Sequence, residues 1–358
     1  MIGLALAAAG LASLALAAPA MAATVSVGSA DSCRGDVACS KYGGGVPVPV
    51  TAFTAAPGER NALTVTTDGR ALVLHDDVAT VTAADPCNAP DPHTARCPLT
   101  PGELGIRGVA VQLGDGDDTA MLGPGVPAAG LDGGAGADRI TGGPGDDVVD
   151  GGPGDDHLAG GGGDDLLSYA ARGRGVVVDL SARIGGGPGE EDTVTGFDRL
   201  EGGRGGDWLR GSPGDDRIDG GAGDDVLHGG RGDDVVSGAL GYDRLFGDAG
   251  DDDLRGDPEQ GDGVYTPYVK LRTDRLSGGR GNDRLDDTGG ANVMRGGPGA
   301  DIIGGGAGRD LIDAGSGRDR IDAFGGGRDR VECGPGLDRA ETDHRDARLH
   351  CERRWPDP

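Results

Sequence analysis

The chain has 358 residues, a formal net charge of −27, 75 glycines and only 3% aromatic residues. So few large side chains cannot fill a deep globular core, although the length would ordinarily hold two or three domains. The acidic balance argues against nucleic acid or anionic membrane as a partner and favours cations.

Residues 1–23 form the one long apolar segment and end in Ala20-Met21-Ala22, a small-x-small cleavage pattern. They are expected to be a secretory signal peptide, although the n-region has no Lys or Arg and an uncleaved anchor stays open. Residues 24–110 offer short alternating runs, such as Leu63-Thr64-Val65-Thr66 and Ala71-Leu72-Val73-Leu74, divided by Pro57-Gly58 and Asp68-Gly69. They predict a small antiparallel β lead-in domain. From residue 111 the chain runs into Gly114-Asp115-Gly116-Asp117-Asp118, a degenerate first block expected to act as a cap.

Gly133–Ser168 is four uninterrupted nine-residue blocks of the form Gly-Gly-x-Gly-x-Asp-x-apolar-x, completing a first run over 111–168. Residues 169–201 interrupt it with two expected strands, Val176–Leu180 and Val194–Phe197, around a polar loop. Six more blocks fill 202–255. Residues 256–277 are a loop insertion whose Tyr265, Tyr268 and Lys270 offer a contact surface, or simply cover the roll. The third run, 278–342, has five blocks to Asp322, slips by one residue at Ala323 and resumes at Gly325; 343–358 is a charged cap or tail.

Position eight of all fifteen blocks is Ile, Leu, Val or Met. Position six is Asp138, Asp147, Asp156, Asp165, Asp207, Asp216, Asp225, Asp234, Asp243, Asp252, Asp283, Asp301, Asp310 and Asp319, and Asn292 in the remaining block. A strict period of this length signals a solenoid in which each unit leans on its neighbours. The glycines permit tight turns with positive φ and bring carbonyl oxygens together. A carboxylate among carbonyls is a hard oxygen site suited to Ca²⁺. The x-apolar-x triplet is a short strand with its central side chain inward. Position five is Asp224 in one block but Ala137, Gly206, Tyr242, Ala300, Arg309 or Arg318 in others, which sets position six apart as the metal ligand.

These blocks resemble the hemolysin-type (RTX) calcium-binding repeat. The resemblance implies an all-β fold: a parallel β-roll, or β-solenoid, with two nonapeptides per turn and several Ca²⁺ ions between stacked loops. The fourteen aspartates are then the expected metal ligands, and binding is coupled to folding, since one aliphatic per nine residues is too little apolar burial to order a glycine-rich chain. The expected partners are calcium ions and no nucleic acid, with a cell-surface or matrix partner left open; a monomer is expected. Localisation is expected to be secreted.

Six cysteines fall as close pairs, Cys33/Cys39, Cys87/Cys97 and Cys333/Cys351. Locality in an exported chain favours these three disulfides over other connectivities or a zinc site, for which no CxxC spacing exists. No HExxH or GxSxG motif occurs among the histidines and serines. A non-catalytic structural or adhesion module is therefore expected; the alternative is an extracellular hydrolase whose catalytic residues hide in 24–110.

Overall fold

The computed structural model describes residues 23–29, 49–84, 86–99, 108–256, 273–324 and 327–351. The expected signal segment (apart from Ala23), Cys33, Cys39, Tyr265, Tyr268 and Lys270 lie outside these residues. Among them the chain is all-β, with thirty-three strands and no helix. Most strands of the repeats are three residues long, the x-apolar-x triplet after each position-six residue.

Successive triplets alternate between two sheets, so one turn of the coil consumes two blocks. In the first sheet Val149 pairs with Leu167, Leu200 with Ile218, and Ile218 with Val236, all in parallel. In the second, Leu209 pairs with Leu227, Leu227 with Leu245, and Met294 with Ile312. The partners within a run are eighteen residues apart, and the position-eight side chains stack inward. All fifteen are at most 2% exposed, which builds one thin core shared by both sheets. The flanking side chains point outward, as the period of two requires.

The lead-in strands do more than precede this coil. Antiparallel pairs are present, Ala62–Thr67 with Ala71–Asp76 and Ala71–Asp76 with Thr94–Pro98. Yet Pro49–Thr54 pairs in parallel with Gly108–Gln112, and Ala62–Thr67 in parallel with Thr119–Leu122. These strands are thus the first rungs of the two sheets, and Leu63, Val65 and Leu72 belong to the same core as the repeats.

The interruption at 169–201 also stays in the sheets. Val177–Asp179, Ile184–Gly185 and Asp192–Thr195 form an antiparallel meander that links His157–Ala159 to Trp208–Arg210 in the second sheet. Arg199–Glu201 continues the first sheet between Leu166–Ser168 and Arg217–Asp219. The slip at Ala323 is absorbed by a nineteen-residue turn that still pairs Ile312 with Val331. Disulfides Cys87–Cys97 and Cys333–Cys351 tie the lead-in and the C-terminal end.

The second glycine of most blocks sits in the left-handed region, with its Cα against the preceding turn. At Gly315 (φ +96°) a side chain would overlap the Gly297 carbonyl oxygen, whereas Gly162 has open space and no left-handed requirement. Gly315→Ala should therefore lower stability by at least ~1–2 kcal/mol from backbone strain alone, with steric overlap adding to it. Gly162→Ala should be nearly neutral; thermal unfolding of the two variants beside the parent checks this.

Candidate metal columns

All fourteen predicted aspartates are 4% exposed or less. Each leads into a strand, so the alternation of strands sorts them into two columns. Asp138, Asp156, Asp207, Asp225, Asp243 and Asp310 precede strands of the second sheet. Asp147, Asp165, Asp216, Asp234, Asp252, Asp283, Asp301 and Asp319 precede strands of the first.

Within a column one carboxylate oxygen has a fixed task. The backbone N–H of Asp138 donates to Asp156 Oδ1 (2.8 Å), that of Asp207 to Asp225 (2.7 Å), and that of Asp216 to Asp234 (2.8 Å). The same bond runs from Asp283 to Asp301 and from Asp301 to Asp319, each 2.9 Å. A buried amide is thus satisfied by the aspartate one turn later. Position five makes the opposite bond at the surface: Asp224 Oδ1 accepts from Tyr242 N–H, and Asp215 Oδ1 from Asp233 N–H.

The second oxygen points elsewhere. Oδ2 of Asp138, Asp156, Asp165, Asp225, Asp234, Asp252, Asp283, Asp301, Asp310 and Asp319 is buried without a hydrogen-bond partner. A Cβ on Gly133 would sit 2.5 Å from both Asp138 Oδ2 and the Gly151 carbonyl oxygen, and one on Gly220 would sit 2.5 Å from Asp225 Oδ2 and 2.9 Å from Gly238 O. The first glycine of such blocks therefore leaves open a recess toward which a carboxylate and the next turn's carbonyl converge. A buried oxygen with no donor is costly, and an oxygen-only donor set fits a hard cation such as Ca²⁺. Among the described residues no three acidic, histidine or cysteine side chains gather at one point, and the other oxygen at each recess is a backbone carbonyl.

The electrostatics agree. Burial, opposed by the backbone hydrogen bonds and reinforced by neighbouring carboxylates, pushes Asp234 up to about 8 and Asp156 and Asp225 to about 7. Asp138, Asp252, Asp283, Asp301 and Asp319 rise to about 6 from an ordinary 3.8. A bound cation would supply the charge that lets these groups ionise while buried.

Three of the fourteen differ. Asp147, Asp207 and Asp216 turn Oδ2 to the N–H of their own block's second residue, Gly143 (2.6 Å), Gly203 (2.7 Å) and Ser212 (2.6 Å). These second residues are outside the left-handed region. The carboxylate oxygen there already has a backbone donor. Conversely, residues not predicted as ligands join the columns. Asp118, Asp192, Asp274, Asp329 and Asp338 are buried, and their Oδ1 atoms accept from Asn61, Asp156, Asp243, Asp310 and Asp319 N–H. Each is followed by x-apolar (Thr119-Ala120, Thr193-Val194, Arg275-Leu276, Arg330-Val331, Arg339-Ala340), the signal that marks them despite irregular glycines. At the Asn292 block the missing carboxylate is offset from position one: Asp287 Oδ2 and Asp274 Oδ2 converge on the space beside Gly256.

At the interruption the protein brings its own cation. Arg172 donates to the Gly152 carbonyl oxygen, pairs with Glu190 at 3.1 Å and lies over the Tyr169 ring. The buried Tyr169 hydroxyl donates to Asp192 Oδ2 at 2.8 Å, so Asp192 has a donor where most column aspartates have none.

Two outcomes follow from these differences. The raised carboxyl values favour the protonated folded state, so their stabilisation of the metal-free roll is complete below 3.8 and lost as pH rises through about 6–8. Circular dichroism in chelator should show structure gained on acidification from pH 8 to 5, while calcium binding weakens over the same range through proton competition. Asp225→Ala should raise the calcium midpoint about tenfold at the affected turns, equivalent to ~1.4 kcal/mol. Asp207→Ala, whose Oδ2 is already engaged, should raise the midpoint less than Asp225→Ala in the same calcium titration, through lost stability of the fold alone.

The family model for the RTX calcium-binding nonapeptide repeat, built of four copies, matches residues 132–167, 192–227, 228–258, 271–303, 286–321 and 295–331. No curated protein matches the chain. The matched stretches coincide with the stacked columns of aspartates and glycines, and through residues 132–331 the chain belongs to the hemolysin-type (RTX) calcium-binding repeat family.

Proposed function

We propose that the protein is an exported, non-catalytic module whose two columns bind several Ca²⁺ ions and whose fold depends on them, serving as a structural or adhesion element. The observation that carries this reading is the repeated recess in which a buried carboxylate oxygen without a donor meets a backbone carbonyl. Asp138, Asp156, Asp165, Asp225, Asp234, Asp252, Asp283, Asp301, Asp310 and Asp319 would hold the ions. Apolar burial is one aliphatic per block, so the charge balance of the columns governs whether the turns stack. The non-catalytic reading is supported by the lead-in strands being spent on the first rungs of the roll. His75 is held by Thr94 Oγ1 at 2.9 Å and Asp77 Oδ1 at 3.1 Å, an arrangement that loop packing explains. Export is supported by the apolar N-terminal segment and by the two disulfides.

In chelator near neutral pH the chain should be expanded and largely coil. Added Ca²⁺ should compact it and raise the β signal with a midpoint of ~10⁻⁴–10⁻³ M, and Mg²⁺ should substitute poorly because of its tighter octahedral demand. An unchanged spectrum and radius across the titration would remove the structural role of calcium. Turnover in a hydrolase substrate screen of the calcium-loaded chain would favour the enzymatic alternative, and retention of the chain inside producing cells would remove export.

A further inference from the structure

Apart from the metal columns, the outer corner of the roll after the second-sheet strands carries a cleft of about 410 Å³. Arg210, Arg231 and Arg280 line it. None of these three exposed arginines makes an ion pair or side-chain hydrogen bond among the described residues, whereas Arg172, Arg255, Arg284 and Arg339 are all paired. The ladder explains the shape. Arg231, Ala249 and Arg280 occupy one position on three successive rungs, so the two arginines stand roughly 9–10 Å apart with only a methyl group between them. Arg210 joins from the neighbouring row, in which it pairs with His228 and His228 with Phe246.

That row carries His228 and Phe246, with Trp208 beside it in the row of Val226 and Arg244, in a chain with few aromatics. His228 stacks on Phe246 at 4.5 Å and 10°, and Trp208 lies 6.0 Å from His228. All three are half-buried, and His228 contacts Asp248, the one acid in the cleft lining, at 3.1 Å. Three guanidiniums therefore face one carboxylate that already has a partner. Exposed Asp215 and Asp233 in the same loops accept backbone N–H groups of the following turns. On a chain of net charge −27, such a local reversal cannot act through long-range attraction and must act by contact.

We propose that this cleft binds an anionic saccharide unit, with Arg231 and Arg280 forking its sulfate or carboxylate and the cluster of Trp208, His228 and Phe246, which adjoins the lining through Arg210 and Asp248, bordering its ring. Planar guanidiniums match such oxyanions in bidentate geometry, and rigid aromatic faces suit the apolar C–H face of a sugar. The volume exceeds that of a bare oxyanion and lies in the range of small-molecule sites.

The test is calorimetry on the full chain in saturating calcium with three probes: a sulfated disaccharide, the same disaccharide without sulfate, and inorganic sulfate. The sulfated sugar should bind, with the other two at least tenfold weaker. Arg231→Ser/Arg280→Ser should weaken it by tenfold or more while keeping the parent's calcium-induced circular dichroism change; if the double variant fails that control, Arg280→Ser alone should still weaken it several-fold. Equal binding of both disaccharides, inorganic sulfate as tight as the sulfated sugar, or undiminished binding by a folded variant would each overturn the proposal. Because the dichroism control reports calcium-driven folding separately, a failed calcium reading and a failed saccharide site give different results.

Discussion

Each block of the roll depends on a single carboxylate that does two jobs at once. One oxygen of the position-six aspartate satisfies a buried backbone amide of the preceding turn, as Asp156 does for Asp138. The other faces a glycine-lined recess with no donor to receive it. The first job fixes the rung spacing and register; the second leaves an electrostatic debt at nearly every rung. A protein with a deep apolar core could tolerate a few such groups, but here each block contributes one aliphatic side chain. The column is therefore both the scaffold and the weak point of the fold.

The exceptions show the same constraint met by other means. Where the second residue of a block leaves the left-handed region, its N–H turns inward and donates to the carboxylate, as Gly143 does for Asp147. At the meander a tyrosine hydroxyl donates to Asp192, and a guanidinium supplies positive charge between Gly152 and Glu190. These devices fall at 143–147 and over 169–216, before, within and after the meander. Blocks suited to a metal thus alternate with blocks in which the chain supplies its own donor.

Much of this was legible in the sequence because both the coil and its ligands are periodic. The aspartate and the aliphatic two residues later alone specify the strand, its inward face and the column. Asp192 and Asp274 escaped because insertions displace the glycines that announce a block, although the Asp-x-apolar triplet survives. The difference between Asp147 and Asp156 is not in their letters at all, since Gly143 and Gly152 are the same residue in different backbone conformations. The parallel pairing of Pro49–Thr54 with Gly108–Gln112 joins segments nearly sixty residues apart, and local alternation of side chains carries no trace of such a partner. Arg172 was equally silent, because its role depends on a carbonyl twenty residues away.

The buried amide bonds also give the roll a direction. The amide of Asp301 is satisfied by Asp319, that of Asp319 by Asp338, and that of Asp329 by Asp346, always by a residue later in the chain. Synthesis delivers the N-terminal end first, so every newly made turn waits on a successor that has not yet been made. Among the described residues the series closes at Ala347–Leu349, which pairs with Arg330–Glu332 beside the Cys333–Cys351 disulfide. In a roll built this way each turn is completed only by the turn that follows it, so order spreads backward along the chain.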